Sequence, residues 1–230
     1  MNYPGIGENE VVYAIGDVHG CLDLLDDLLR RIDADKAKRP EARYTEVHLG
    51  DYIDRGADSA GVLARLQDRM ERTELVCLLG NHEAMLLDAL DGELPVENWL
   101  ANGGDATLRS YRIDEDRPGA YSRAALFRLP PDDIRFLREL QLSFRRSPYL
   151  FVHAGIRPGV PLEQQHPHDM VWIREDFLDF EGPFGAVVVH GHTPVEEVEF
   201  RRNRIGIDTG AVRTGRLTCL RIDRAGVSVL

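Results

Sequence analysis

Metal-competent side chains recur in this sequence directly after short apolar segments. They are carboxylates, imidazoles and one amide, with no cysteine among them: Asp17, His19, Asp51, Asn81, His153 and His192. Oxygen and imidazole donors favour Mn²⁺, iron or Zn²⁺ over a structural thiolate zinc site. Six side chains are too many for one four-coordinate ion with an open position, but they suit two ions that share a bridging carboxylate. Such a pair can deprotonate water near neutral pH and hold phosphoryl oxygens in line, so the donor set predicts phosphoryl chemistry.

Each polar cluster follows a segment that predicts a short buried strand. Apolar, often β-branched segments occur at residues 11–15, 47–49, 75–79, 149–152 and 186–189. They run directly into GDVHG (16–20), GDYIDRG (50–56), GNHE (80–83), HAG (153–155) and HGHT (190–193). Open α/β sheets place ligands beyond the carboxyl ends of their strands, and glycine lets the backbone turn closely around an ion. We therefore expect the five clusters to converge.

The segments between these strands predict helices, and the C-terminal part predicts more strands. Leucines at helical spacing predict a helix over residues 21–33, Asp58 or Ser59 caps a second helix, and Pro130-Pro131 opens a third. From residue 195 onward, four strand-like segments separated by turns predict an antiparallel meander. Strand–helix repeats followed by a β-rich C-terminal part predict an α/β sandwich with mixed sheets, and residues 1–230 are expected to form a single domain.

Composition narrows the class of protein. The chain has 230 residues, 43% hydrophobic and 29% charged, which is typical of a globular protein and not of a disordered one. No apolar segment reaches the roughly 18 residues that a membrane span needs. The formal net charge of -11 argues against general nucleic-acid or membrane binding. The three cysteines lack metal-type spacing and no signal peptide is seen, so free thiols and a cytoplasmic location are expected.

The series GDVHG, GDYIDRG, GNHE, HAG and HGHT resembles the motifs of calcineurin-like metallophosphoesterases. Within them it is most similar to the PPP-type serine/threonine protein phosphatases in their compact bacterial and phage form. The resemblance spans roughly residues 11–210 and continues in WLANGG (99–104), WIR (172–174) and DTG (208–210). Five motifs in register with predicted strands are a specific signal. The resemblance implies a four-layer α/β/β/α sandwich, in which helices flank two mixed β-sheets.

The resemblance also implies roles for individual residues. Asp17 and His19 would hold the first ion, Asp51 would bridge both, and the second would be held by Asn81, His153 and His192. His192 is preferred to His190 as the ligand because the Gly-His-Thr step is the part that matches. His190 would then either bind an ion itself or lie behind the ligands and support them.

The catalytic set implied by the resemblance lies beside these ligands. His82 would be the general acid that protonates the departing alkoxide, with Asp54 orienting its ring and raising its pKa. Arg55 and Arg174 would bind phosphate oxygens, since planar guanidinium groups meet two oxygens at once, and Asn102 is a further candidate for substrate contact. No residue is placed to act as a nucleophile, so the expected attacking group is a hydroxide that bridges the ions.

The function predicted from the sequence is a dinuclear, metal-dependent phosphomonoesterase of the protein-phosphatase type. Mn²⁺ is the favoured ion, with iron and Zn²⁺ as alternatives, and a phosphoprotein or phosphopeptide is the expected substrate, carrying phosphoserine, phosphothreonine or phosphotyrosine. A variable segment at about 91–129 would recognise the leaving group. Because small bacterial relatives include diadenosine tetraphosphatases, hydrolysis of dinucleoside polyphosphates is the first alternative. A catalytically silent scaffold that binds phosphorylated partners is the second.

Overall fold

The structure is a computed structural model and describes residues 3–113 and 122–230. Residues 114–121, inside the predicted variable segment at 91–129, lie outside the described residues. The strands are β1 (Glu10–Ile15), β2 (Arg43–His48), β3 (Leu75–Cys77), β4 (Ser143–Arg146), β5 (Tyr149–Val152), β6 (Val187–His190), β7 (Glu199–Phe200), β8 (Arg204–Gly206), β9 (Cys219–Asp223) and β10 (Gly226–Val229).

The longer helices are α1 (Leu22–Lys36), α2 (Ser59–Met70) and α3 (Asn81–Asp91). The shorter ones are α4 (Val96–Trp99), α5 (Asp105–Ser110), α6 (Arg123–Leu126), α7 (Pro131–Arg138), α8 (Pro167–Trp172), α9 (Glu175–Leu178) and α10 (Ala211–Thr214), with a π-helical turn at Leu100–Gly104 and a 3-10 turn at Leu162–Gln164. Within the described residues, no helix is both long enough and apolar enough to cross a membrane.

The described strands form two mixed sheets. The first has the order β10-β9-β1-β2-β3, in which β1, β2 and β3 are parallel while β9 and β10 are antiparallel. The second has the order β4-β5-β6-β8-β7, in which β5, β6 and β8 are parallel and the edge strands are antiparallel. Five of these parallel strands lead into the five predicted polar clusters: β1, β2, β3, β5 and β6.

Alternating side chains of β1 show how the layers are stacked. Val12 and Ala14 pack between the two sheets against residues of the second sheet such as Phe151 and Val189. Val11, Tyr13 and Ile15 point to the opposite face, where they join the leucines of α1 and α2. On the outer face of the second sheet, apolar side chains of β5 and β6 pack against α8 and α9. The predicted α/β/β/α sandwich with two mixed sheets is therefore confirmed.

The predicted helices are confirmed at their starts. The carboxylate of Asp58 accepts a hydrogen bond from Gly61 N at 2.8 Å and so caps α2, and α7 begins at Pro131.

The prediction of one antiparallel meander after residue 195 is wrong. β7 and β8 belong to the second sheet, whereas β9 and β10 belong to the first, with α10 between the pairs. Each pair is antiparallel, but β8 also pairs in parallel with β6, its other neighbour in the second sheet.

Candidate dinuclear metal site

The loops that follow the parallel strands carry the predicted site residues in strained backbone conformations. Among the described residues, the non-glycine residues with positive φ are His19, Asp51, Asp54, Arg55, Arg112 and His192. All but Arg112 belong to the predicted site. Side chains other than glycine rarely adopt this region, and such strain gathers at functional sites, where the surrounding structure enforces it. These backbone conformations direct the side chains toward one another beyond the carboxyl ends of the parallel strands of both sheets.

Asp51 lies at the centre of the cluster and faces a different histidine with each carboxylate oxygen. Its Oδ2 is 3.4 Å from His19 Nε2, and its Oδ1 is 3.4 Å from His153 Nε2. Two overlapping groups of potential ligands share this residue: one contains His19 and His82, and the other His153 and His192. A carboxylate placed between two groups of donors has the geometry of a bridging ligand.

Asn81 completes the second group. Its Oδ1 lies 3.0 Å from His153 Nε2 and 2.8 Å from His192 Nδ1, so an amide oxygen and two imidazole nitrogens converge on one position. The other ring nitrogen of His153 bonds the Leu49 carbonyl, and Nδ1 of His19 bonds the Ile53 carbonyl. When Nδ1 donates its proton to these carbonyls, Nε2 of each ring is unprotonated and carries a lone pair on the side of Asp51. This is the tautomer that a metal ligand needs.

Several observations show that the cluster fits divalent ions. Asp17 Oδ1 and His192 Nε2 are buried and have no hydrogen-bond partner among the described residues, which is costly unless another group satisfies them. Burial and the nearby charges of Asp208 and Asp51 raise the pKa of Asp17 well above its usual value, so the carboxylates repel one another without a cation. A Cβ at Gly191 would lie 2.0 Å from Asp17 Oδ1, so only glycine lets the backbone approach this closely.

Glu83 binds the backbone of the loop that carries Asp51, and it was not among the site residues predicted from the sequence. Its carboxylate is fully buried and accepts the backbone N–H groups of Gly80, Asp51, Tyr52 and Ile53 at distances of 2.7–3.2 Å. Burial and the charge of Asp51 raise the pKa of Glu83 to about 8. Its position three residues after Gly80, at the start of α3, is the local signal that could have revealed it.

His82 and Asp54 form a buried pair beside the cluster. His82 Nδ1 lies 2.7 Å from Asp54 Oδ2, while its Nε2 lies 4.0 Å from Asp51 Oδ2 and has no hydrogen-bond partner among the described residues. Burial lowers the pKa of His82 although the charge of Asp51 acts in the opposite direction. The raised pKa expected from a neighbouring carboxylate is therefore not found, because the loss of solvation outweighs the attraction.

Two donors from a distant part of the chain hold Asp54. Trp99 Nε1 donates to Asp54 Oδ2 at 2.8 Å, and Thr107 Oγ1 donates to Oδ1 at 2.7 Å. In the sequence Trp99 stands out only as part of WLANGG, and Thr107 does not stand out. The fully buried ring of Trp99 supplies a hydrogen bond to the Asp54 carboxylate. Its position in WLANGG, beside the predicted site motifs, was the available signal.

Arginines lie at opposite ends of the cluster. Arg55 Nη1 is 2.8 Å from His19 Nε2, and the Arg55 backbone N–H donates to the carbonyl of Gly103. Arg174 is exposed at the start of α9, close enough to His192 for its charge to help lower the pKa of that ring to about 2, after burial and His153. Arg55 therefore lies near His19 and Arg174 near His192, so the two guanidinium groups lie on either side of the predicted metal ligands.

Asn102 is exposed, and its amide donates to the Asn98 carbonyl within its own helical turn. The link between this segment and the site is the neighbouring Gly103, which has φ of 103° and bonds Arg55. His190 is buried elsewhere: its ring packs edge-on against Phe177, and its Nε2 lies 3.3 Å from Arg204 Nη1. The groups of potential ligands include His192 and not His190.

Buried donors on two packed sheets, arranged in two groups around one carboxylate, define a dinuclear metallohydrolase. Comparison with known proteins identifies the family. Residues 11–221 match the calcineurin-like phosphoesterases, and the chain belongs to that family. It is accordingly a hydrolase that acts on phosphoric esters, as the resemblance predicted.

Individual relatives differ in the substrates that their names give. Serine/threonine-protein phosphatase 1 of Salmonella typhimurium is 34% identical over 216 residues, which cover 92% of this chain and 91% of that one. The symmetrical bis(5'-nucleosyl)-tetraphosphatase of Janthinobacterium sp. is 35% identical over 146 residues, covering 64% of this chain and 44% of that one. Among solved structures, a cold-active protein tyrosine phosphatase superposes with a TM-score of 0.65 at 20% identity, over 100% of this chain and 81% of that one. This last likeness concerns the fold alone.

Proposed function

We propose that this protein is a dinuclear, metal-dependent protein phosphatase that hydrolyses phosphoserine and phosphothreonine, with phosphotyrosine as a further candidate. The observation that carries the chemistry is the placement of Asp51 between two groups of histidines, next to the buried His82. The choice of a phosphoprotein substrate is supported by the serine/threonine phosphatase relative, whose similarity extends over 92% of the chain.

In this proposal the first ion would be held by Asp17 and His19 and the second by Asn81, His153 and His192, with Asp51 as the ligand that both ions would share. When bound, a pair of divalent ions supplies a water that is deprotonated near neutral pH and positive charge that aligns phosphoryl oxygens. Mn²⁺ is the proposed activating ion, and the oxygen-and-nitrogen donor set accommodates iron or Zn²⁺ as well.

His82 holds the proton that the leaving group needs. Asp54 accepts the hydrogen bond from His82 Nδ1 and so directs Nε2 toward Asp51 and the position of the reacting phosphate. Although burial lowers the pKa of His82, the approach of a phosphate dianion acts the other way and favours the imidazolium. Substrate binding therefore loads His82 with the proton that it passes to the departing serine or threonine oxygen.

Arg55 and Arg174 orient the substrate phosphate from the two ends of the cluster. A guanidinium group presents paired N–H donors that match two phosphate oxygens, and neither arginine is held by a carboxylate among the described residues. Asn102 stays a prediction as a third contact, carried by the segment that bonds Arg55 through Gly103.

Hydrolysis of dinucleoside polyphosphates is the second candidate. It is favoured by the 35% identity to the symmetrical bis(5'-nucleosyl)-tetraphosphatase, although that match covers less of both chains. The metal ligands, His82 and the two arginines would serve either substrate, since both reactions transfer a phosphoryl group to water.

The test is hydrolysis by purified protein that has been stripped with a chelator and assayed with and without added Mn²⁺, followed as phosphate release from peptides and as formation of mononucleotides from a dinucleoside polyphosphate. The substrates are phosphoserine, phosphothreonine and phosphotyrosine peptides and diadenosine tetraphosphate. Activity on the peptides that returns with Mn²⁺ is the expected result. Activity on the nucleotide alone would overturn the substrate, and no hydrolysis despite two bound ions would favour the phospho-binding scaffold.

We further propose that residues 1–230 act as one catalytic unit in the cytoplasm. The three cysteines are unpaired, two of them buried, which suits a reducing compartment. Metal analysis and fractionation of cells that express the full chain would test both statements.

A further inference from the structure

A cavity of about 300 Å³ adjoins the metal site on the side of His19. It is lined by His19, Arg55, Pro194, Asp208, Gly210, Val212 and Arg213. Arg55 Nη1 is 2.8 Å from His19 Nε2, and His19 Nε2 is 3.4 Å from Asp51 Oδ2, so the cavity opens directly onto the atoms that would surround the reacting phosphate.

Arg213 contributes a second guanidinium group to the lining of this cavity, in addition to Arg55. Its side chain lies over Gly210, where a Cβ would come 3.3 Å from Arg213 Nη2, and Gly210 has φ of 67°. Among the described residues, no carboxylate or carbonyl oxygen pairs with this exposed guanidinium. Arg216, three residues away, differs because it is held by the Glu197 carboxylate at 2.8 Å and by the Glu196 carbonyl.

The charge of the lining is positive in an acidic protein. Two guanidinium groups, Arg55 and Arg213, face one carboxylate, Asp208, which is buried and tied to Gly210 N at 2.8 Å. The chain as a whole carries a formal net charge of -11, so repulsion would keep anions away from most of its surface. Pro194 and the 40% exposed Val212 add apolar surface against which the carbon stem of an anionic side chain can pack.

We propose that Arg213 forms a subsite for a second anionic group of the substrate, carried next to the phosphate that is cleaved. In a phosphopeptide this group is an Asp or Glu carboxylate beside the phosphorylated residue, and in a nucleoside polyphosphate it is a further phosphate. The proposal rests on the proposed function and adds a preference for substrates with two neighbouring anionic groups. It makes Arg213 a specificity-determining residue and leaves the chemical step to the metal site.

The test compares phosphoserine peptides that differ only by Glu or Gln next to the phosphoserine, with wild-type protein and the R213Q variant. Glutamine keeps much of the length and hydrogen-bonding capacity of arginine and removes its charge. R216Q is the matched control, since it removes a charge from the same loop that is already paired and does not line the cavity. In a second arm, KM for diadenosine tetraphosphate is compared with KM for p-nitrophenyl phosphate, with the same three proteins.

Wild-type protein is expected to favour the Glu peptide roughly three- to tenfold in kcat/KM, mainly through KM. R213Q should abolish this ratio, R213E should reverse it, and R216Q should keep it. The proposal is overturned if wild-type protein shows no preference, or if R213Q retains it. When diadenosine tetraphosphate is hydrolysed but no phosphopeptide is, the proposed function fails but the subsite is still tested, because R213Q must then raise KM for the tetraphosphate more than R216Q does.

A binding measurement makes the subsite independent of turnover. Non-hydrolysable phosphonate versions of the Glu and Gln peptides are titrated into wild-type protein and R213Q, and the affinities are compared. Tighter binding of the Glu version by wild-type protein alone supports the subsite even in a protein that hydrolyses nothing. Equal affinities for the two peptides in wild-type protein would refute it.

Discussion

Replacement of Trp99 by phenylalanine tests how the buried Asp54–His82 pair is held. The indole donates to Asp54 Oδ2 at 2.8 Å, on the same oxygen that accepts the hydrogen bond from His82 Nδ1 at 2.7 Å. Trp99 and Asp54 are both fully buried. Phenylalanine keeps most of the aromatic surface but removes the donor, so the carboxylate loses a hydrogen bond that water cannot easily replace.

The expected loss follows from the kind of hydrogen bond removed. A hydrogen bond to a charged group contributes about 1.5–3 kcal/mol. Full loss of that stabilisation from the transition state lowers turnover about 10- to 100-fold, since each 1.36 kcal/mol corresponds to a factor of ten. Burial already raises the pKa of Asp54, and the hydrogen bonds from Thr107 and Trp99 act to lower it. W99F therefore raises the pKa of Asp54 further and weakens its hold on His82.

The assay is kcat on a phosphoserine peptide with metal-loaded protein, together with Tm. T107V, which removes the other donor to Asp54, should act in the same direction. Y149F is the matched control, because it removes the hydroxyl of an equally buried aromatic ring that bonds the Pro4 carbonyl outside the site. It should lower Tm and leave kcat within about twofold of the wild-type value.

A double-mutant cycle with His82→Asn decides whether Trp99 acts through His82. If it does, W99F has little further effect on kcat once His82 is gone. If W99F slows the His82→Asn variant as much as it slows wild-type protein, the proposed route from Trp99 through Asp54 to His82 is refuted. The same conclusion follows if W99F and Y149F change kcat equally.

Three further predictions concern the general acid, the bridging carboxylate and a buried carboxylate far from the site. His82→Asn should reduce kcat about 10²- to 10⁴-fold on a phosphoserine peptide and much less on p-nitrophenyl phosphate, whose leaving group needs no proton; equal losses would contradict the general-acid role. Asp51→Asn should weaken both ions together, and two tightly bound ions by metal analysis would argue against the bridge. Burial acts to raise the pKa of Glu46, but hydrogen bonds from Arg69 and the charge of Lys36 hold it below its usual value of 4.5. Its stabilising effect is thus present above about pH 4.5 and is lost as pH falls toward the lower pKa of the folded state. Glu46→Gln should cost about 3 kcal/mol at pH 7 and flatten the acid loss of stability in urea titrations, whereas an unchanged slope would disprove the assignment.

The strand-then-cluster pattern is a local property, and it was visible in the sequence. Residues 11–15 and 149–152 are apolar and lead into Asp17 and His153, so their strands and the donor types behind them could be predicted. Leucines at helical spacing likewise predicted α1, because an amphipathic helix needs only its own residues to show its buried face. The α/β class followed from these local signals, and the phosphoesterase family followed from the resemblance of the motifs at the strand ends to a known motif series.

Only the tertiary structure decided which distant segments meet. Arg204–Gly206 and Cys219–Asp223 have similar strand-like sequences, yet the first pairs with β6 and the second with β1, since pairing depends on the neighbouring strand as well as on the segment itself. Trp99 and Thr107 meet Asp54 across 45 and 53 residues of chain. Their side chains alone do not indicate such contacts, because a buried donor finds its acceptor only when packing brings the two segments together. The cavity beside Arg213 arises in the same way, from loops that the sequence keeps far apart.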